Sequence, residues 1–163
     1  MKKRLYIAYG SNLNRTQMEY RCPGARPVAK SWLHDYRLVF QGRRFGAHAN
    51  VIPEAGQDVP VVIWEIDKYD EMALDRYEGV KGGYYTKETM TLEVNGKMRE
   101  ALIYIMSPNP YGLPDDFYLE TIAYGYADFN LDIRILNDAV KHAYKNTRKL
   151  RHADSSGLAP ATI

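Results

Sequence analysis

Two short segments of this chain carry residue types that could do chemistry together. The first, Leu5-Tyr6-Ile7-Ala8-Tyr9-Gly10-Ser11-Asn12-Leu13, runs an apolar, β-prone stretch straight into a tight polar turn and a helix start. Gly10 either takes a positive φ or admits a close backbone approach, and Ser11, Asn12 or Asn14 can cap the helix that follows. Free N–H groups at such a junction favour a carboxylate, a phosphate or a developing oxyanion. The same residue types also serve wherever a chain simply has to bend. The second segment, residues 74–85, sets a carboxylate, Glu78, immediately before Gly79 at what reads as a helix end. An exposed carboxylate there faces the negative pole of the helix, at a cost of about 0.3–1 kcal/mol. Most such glutamates face water, so position alone does not make Glu78 a proton carrier.

Positioning these groups requires a helix and a sheet. Asp67 is placed to cap a helix on which Tyr69, Met72, Ala73 and Tyr77 recur near helical spacing, and Gly79 fits its left-handed end. Residues 36–40, 49–52 and 59–66 read as strands, the last apolar enough to be buried on both faces. Met90, Leu92 and Val94 alternate with polar residues up to Asn95-Gly96, a type I′ hairpin signal leading into a strand over 101–106. Helices follow over 115–129, with Leu119, Ile122, Ala123 and Tyr126 on one stripe, and from Ile133 onward with Leu136, Val140 and Tyr144. About six strands with irregularly interspersed helices predict an α+β fold.

Composition bounds the rest. The 163 residues, 45% hydrophobic with 14 Tyr, fit one domain, expected over 1–152 with a loose tail over 153–163. Met1-Lys2-Lys3-Arg4 is basic, but the apolar run behind it stops at Gly10 without a cleavage pattern, so no signal peptide is expected, nor any membrane span. The lone Cys22 excludes an internal disulfide framework and fits a reducing compartment, the cytoplasm. A net charge of +2 argues against a nucleic-acid partner, and the cluster Lys141, Lys145, Arg148, Lys149 and Arg151 is explained by a helix C-terminus. His34, His48, His142 and His152 lack metal-ligand spacing, and Gly82-Gly83 follows a helix instead of opening one, so neither metal nor cofactor is expected. Ser11 does not sit in a Gly-x-Ser-x-Gly elbow, which removes it as a nucleophile.

Taken as a pair, Tyr-Gly-Ser-Asn-Leu (9–13) and Glu-Gly-Val-Lys-Gly-Gly-Tyr (78–84) resemble the γ-glutamylcyclotransferase family, including its AIG2-like members. The resemblance continues through Gly46-Ala47-His48-Ala49-Asn50-Val51-Ile52-Pro53, then 59–66, and Gly112-Leu113-Pro114 before a predicted helix. It implies a small mixed β-barrel with flanking helices. It also implies release of 5-oxoproline and a free amine or amino acid from a γ-glutamyl compound, by attack of the substrate's own α-amine.

In that resemblance Glu78 matches the catalytic glutamate, serving first as general base and then as acid. The role calls for a raised pKa, which burial beside Tyr77, Tyr84 or Tyr85 and the nearby helix end would promote. Tyr9, Gly10, Ser11, Asn12 and Leu13 match the substrate loop, and Tyr85 is expected to shape the pocket. Some members place a Tyr on the helix after Gly-Leu-Pro where simple alignment here gives Phe129; Tyr124 or Tyr126 is the expected substitute, although Tyr126 also reads as core. Asn12 is more similar to the broad branch than to the glutathione-specific branch, which makes glutathione a less favoured substrate. A monomer or homodimer is expected. The alternative is a noncatalytic binder of γ-glutamyl or pyroglutamyl ligands.

Overall fold

The computed structural model describes residues 2–155, with side chains over 2–147. Strand β1 (Arg4–Ala8) leads through a single 3-10 turn (Ser11–Leu13) into α1 (Arg15–Arg21), and β2 (Arg26–Gln41) and β3 (His48–Ile66) follow. Helix α2 (Lys68–Tyr77), the hairpin β4 (Tyr85–Val94) and β5 (Lys97–Met106), α3 (Asp116–Asp128) and α4 (Ile133–Ser155) complete the order. The strands form one sheet in the order β2-β3-β1-β5-β4, antiparallel except where β1 runs parallel to β5. The fold is α+β.

The barrel is a loose one, because the sheet is not closed. Its edge strands β2 and β4 approach one another, with Ser31 Oγ donating to the Glu93 carbonyl at 2.5 Å and Asn95 Nδ2 to that of Val28 at 3.3 Å. Among the described residues no backbone ladder joins them. The strands expected at 36–40, 49–52 and 59–66 belong to two much longer ones. Pro53 and Gly56 lie in the gap between the strands expected at 49–52 and 59–66, yet pairing continues past them through a bulge at Asp35 (φ 61°), whose carboxylate accepts from Gly56 N–H at 2.9 Å.

Local expectations hold elsewhere. Asn95 and Gly96 take positive φ at the tip of the β4–β5 hairpin, where Val94 pairs with Lys97. Asp67 caps α2 reciprocally with Asp70. Beyond α2, Gly79 at φ 64° donates to Arg76 O and Val80 to Asp75 O, which satisfies the last carbonyls and leaves Glu78 as the C-cap. The core lies between the sheet and its helices, with Ile7, Ile63, Ile103 and Ile122 fully enclosed. The expected domain end at residue 152 falls within α4, and positions 156–163 of the expected tail lie outside the described residues. No described helix is long and apolar enough to cross a membrane.

Candidate active site

The end of β1 and the end of α2 meet at one cavity of about 130 Å³, roughly ten times the space a single water needs. Tyr9, Gly10, Ser11, Asn12, Glu78 and Tyr85 all line it. Leu13 and Tyr126 do not. Leu13 is fully enclosed and packs under α3 at Gly125, where a Cβ would stand 2.6 Å from Leu13 Cβ and 2.8 Å from Asn14 N. That approach commits the turn's last residue to packing. It also turns Tyr126 into the core, 1% exposed, with no partner for its hydroxyl among the described residues.

The tyrosine that α3 brings to the cavity is Tyr118, in its first turn. Its hydroxyl accepts from Ala49 N–H at 3.0 Å, while Tyr85 Oη donates to Ala49 O at 2.5 Å. Both backbone groups of Ala49 are thus held by cavity hydroxyls. Gly10 completes this junction: a Cβ there would meet Ala49 Cβ at 3.1 Å. Of the two roles open to Gly10, the structure selects close approach, since its φ is −121°. Tyr118 had a sequence signal, lying four residues before Ile122 and eight before Tyr126 on the same stripe.

The turn uses two of its backbone donors internally. Leu13 N–H donates to Gly10 O at 3.0 Å and Asn14 N–H to Ser11 O at 3.1 Å. A 3-10 turn gives the amides before these no acceptor of its own, so those of Ser11 and Asn12 are unclaimed by it. Asn14 caps α1, accepting from Gln17 N–H at 3.0 Å, and this leaves the side chains of Ser11 and Asn12 for other work. Ser11 Oγ lies 3.2 Å from Tyr77 Oη, and Asn12 Nδ2 donates to Tyr6 Oη at 2.9 Å and to Glu78 Oε1 at 3.2 Å.

Glu78 is the one carboxylate among the described lining residues. Burial pushes its pKa up to about 7, opposed by the charge of Arg21 and by the hydrogen bond from Asn12. Burial is therefore the largest cause. The tyrosines around it are shifted the same way: burial, then the charge of Glu78, raises Tyr6 and Tyr9 well above 10, so both remain neutral donors. On the opposite wall His48 Nδ1 lies 2.6 Å from Tyr84 Oη, and burial followed by the nearby Arg43 lowers the His48 pKa and favours the uncharged ring.

The arrangement joins a carboxylate able to exchange protons near neutrality with the Ser11 and Asn12 amides, which the 3-10 turn does not itself engage. Tyr6, Tyr104 and His48 also line the cavity and were not expected from sequence. Among the described residues no group of three or more His, Cys, Asp or Glu is placed to hold a metal.

Comparison with known proteins places this geometry in context. The family described as "Gamma-glutamyl cyclotransferase, AIG2-like" matches residues 6–126. The chain is 30% identical over 152 residues to a γ-glutamylcyclotransferase of Bos taurus, covering 86% of this chain and 81% of that protein. It is 31% identical over 137 residues to one of Homo sapiens, covering 79% and 73%. A solved structure described as a γ-glutamyl cyclotransferase aligns with a TM-score of 0.77 at 26% identity, covering 85% of this chain and 86% of that one.

Proposed function

Because the chain belongs to the AIG2-like γ-glutamyl cyclotransferase family and is a cyclotransferase-like enzyme, we propose that Glu78 is its general base and acid. Its substrate is a small γ-glutamyl compound, which it converts to 5-oxoproline and a free amine or amino acid. The observation that carries this reading is the Glu78 carboxyl sharing one cavity with the Gly10-Ser11-Asn12 backbone.

The chemistry follows from proton affinities. Each unit by which the glutamate pKa lies below that of the substrate α-ammonium costs about 1.4 kcal/mol in the proton transfer. Raising Glu78 from 4.5 to about 7 therefore removes about 3 kcal/mol of that cost. The freed amine then attacks the γ-carbonyl carbon; a new C–N bond forms, and the carbonyl π pair moves to oxygen. Amides of Ser11 and Asn12 face that oxyanion or the substrate α-carboxylate. Glu78 returns its proton to the departing nitrogen, and the old C–N bond breaks with its electron pair going to that nitrogen. As that bond breaks the oxygen's electron pair re-forms the carbonyl, and the second proton on the attacking nitrogen passes through the same carboxylate to the released amine, which leaves Glu78 ionised again. No protein nucleophile is needed, because nucleophile and electrophile are held in one folded molecule.

The half-exposed side of the cavity, where Tyr84 and His48 lie, receives the leaving group, and the buried side at Tyr6 and Tyr9 receives the glutamyl part. We place the enzyme in the cytoplasm, acting as a monomer or homodimer without nucleic acid or membrane. Cys22 is buried and unpaired, with its thiol pushed up to about 12 chiefly by burial, which suits a reducing setting.

The test incubates the protein with γ-glutamyl amino acids, γ-glutamyl-lysine and other γ-glutamyl metabolites and measures 5-oxoproline. Wild type releases it from at least one compound, and Glu78→Gln keeps the fold and loses turnover. Near-wild-type release by Glu78→Gln rejects the assignment, and binding without release by wild type across the panel favours a noncatalytic binder.

A further inference from the structure

Arg21 is the last residue of α1 and does not line the cavity, yet it touches both halves of it. Its Nη1 donates to Asn12 Oδ1 at 2.5 Å, and its guanidinium carbon lies 3.3 Å from the centroid of the Tyr77 ring. Tyr77 adjoins Glu78 in sequence, and its hydroxyl reaches Ser11. We propose that Arg21 is a positioning residue that locks the substrate turn to the Glu78 carboxyl, acting through the Asn12 amide and the Tyr77 ring. The proposal rests on Glu78 being the proton carrier.

The argument lies in how the Asn12 amide is used. Its oxygen is taken by Arg21, and its two N–H groups by Tyr6 Oη and Glu78 Oε1. An amide with its oxygen turned to Glu78 would set two acceptors against each other. Arg21 removes that alternative, because a guanidinium can only donate. The planar stack on Tyr77 fixes the guanidinium itself, which a flexible ammonium would not do. Arg21 thereby aims a donor at Glu78 without touching substrate.

Its charge acts in the same direction. The groups facing Glu78 are Tyr6 from β1, Tyr9 just beyond it, Tyr84 and Tyr85 at the start of β4, Tyr118 from α3, and Arg21 from α1. Apart from the His48 ring across the cavity, whose pKa burial lowers so that the uncharged form is favoured, all but Arg21 are phenols, so among the described groups Arg21 supplies the cationic opposition to burial. Without it the carboxyl holds its proton more tightly and is a poorer base at neutral pH.

The test is a carbon-detected NMR titration of protein labelled at its glutamate carboxyls, with Glu78→Gln identifying the Glu78 signal. Arg21→Met is expected to raise the Glu78 midpoint by about half a pH unit or more, roughly a threefold change in proton affinity. The acid limb of kcat/KM is expected to move up with it, so that activity lost at neutral pH returns in more alkaline buffer. A midpoint unchanged or lowered in Arg21→Met overturns the proposal, as does a loss of turnover equal at every pH. Should Arg21→Met fail to fold, Arg21→Gln removes the charge while keeping a donor, and the same midpoint decides. The titration needs no substrate, so it is read independently of whether wild type releases 5-oxoproline.

Discussion

Replacing Glu78 by glutamine should make the protein more stable while abolishing its turnover, and the gain should depend on pH in a specified direction. A carboxyl whose affinity for protons is higher in the folded chain than in the unfolded one costs nothing where both states are protonated. Its cost appears as pH rises through the unfolded value and is complete above the folded one. For Glu78 those values are 4.5 and about 7, a difference of about 2.5, which at roughly 1.4 kcal/mol per pH unit is about 3 kcal/mol. The residue keeps some access to solvent through the cavity mouth, so about 3 kcal/mol is a ceiling. Glutamine has the same shape and can still accept from Asn12 through its carbonyl, so the substitution removes the buried charge and little else. Urea unfolding of both proteins at intervals between pH 4 and 9 measures the difference. The midpoints should nearly coincide at pH 4 and separate by about 1–1.5 M at pH 8 for a slope near 2 kcal/mol/M. A separation that stays constant with pH, or that shrinks toward alkaline pH, would refute the claim that Glu78 is held in an environment hostile to its charge.

Other substitutions check the placement of neighbouring groups. Gly125→Ala should lower stability by about 1–3 kcal/mol, since its methyl would press on Leu13 Cβ and Asn14 N, and a thermal melt should record a fall of several degrees. Tyr126→Phe should leave 5-oxoproline release unchanged and not lower the melting temperature, because it deletes a buried hydroxyl that has no partner among the described residues.

What could be read from the sequence was what local chemistry decides. Asp67 and Gly79 bracket α2 because a capping carboxylate and a left-handed glycine act within one turn, and Asn95-Gly96 fixes its hairpin for the same reason. Glu78 and residues 9–12 were recognisable because their order along the chain resembles a known family. Leu13, part of the same motif, proved to serve packing, and Tyr118 took the place expected of Tyr126. Both outcomes turn on which side of α3 lies against the 3-10 turn, and that is set by Gly125, a residue with no side chain to announce it. The lengths of β2 and β3 were hidden likewise: Pro53 and Gly56 interrupt a pattern locally, but a long antiparallel partner absorbs them. Arg21 escaped notice because its role depends on where a long side chain ends, nine residues from Asn12 and wrapped over a tyrosine from another helix.

A carboxyl that costs the fold free energy must be kept from rotating into water, and α2 carries the means on the same face. Glu71, Asp75 and Glu78 are spaced by four and three residues, so they lie along one side of the helix. Lys87 of β4 donates to Glu71 at 2.9 Å and to Asp75 at 2.8 Å, Arg4 of β1 reaches Glu71 at 2.8 Å, and Tyr104 Oη donates to Asp75 at 2.6 Å. Ion pairs with this much solvent access add little stability individually. What they supply is direction: a helix roll that carried Glu78 outward would also pull Asp75 from both Lys87 and Tyr104. At the far end Asp70 accepts from Gly24 N–H at 3.1 Å, and a Cβ on Gly24 would collide with the Asp67 and Asp70 carboxylates, so α2 is fixed at its start as well. The surface network and the raised proton affinity are thus linked, because residues 71 and 75 help to hold against the sheet the helix that carries the carboxyl at residue 78.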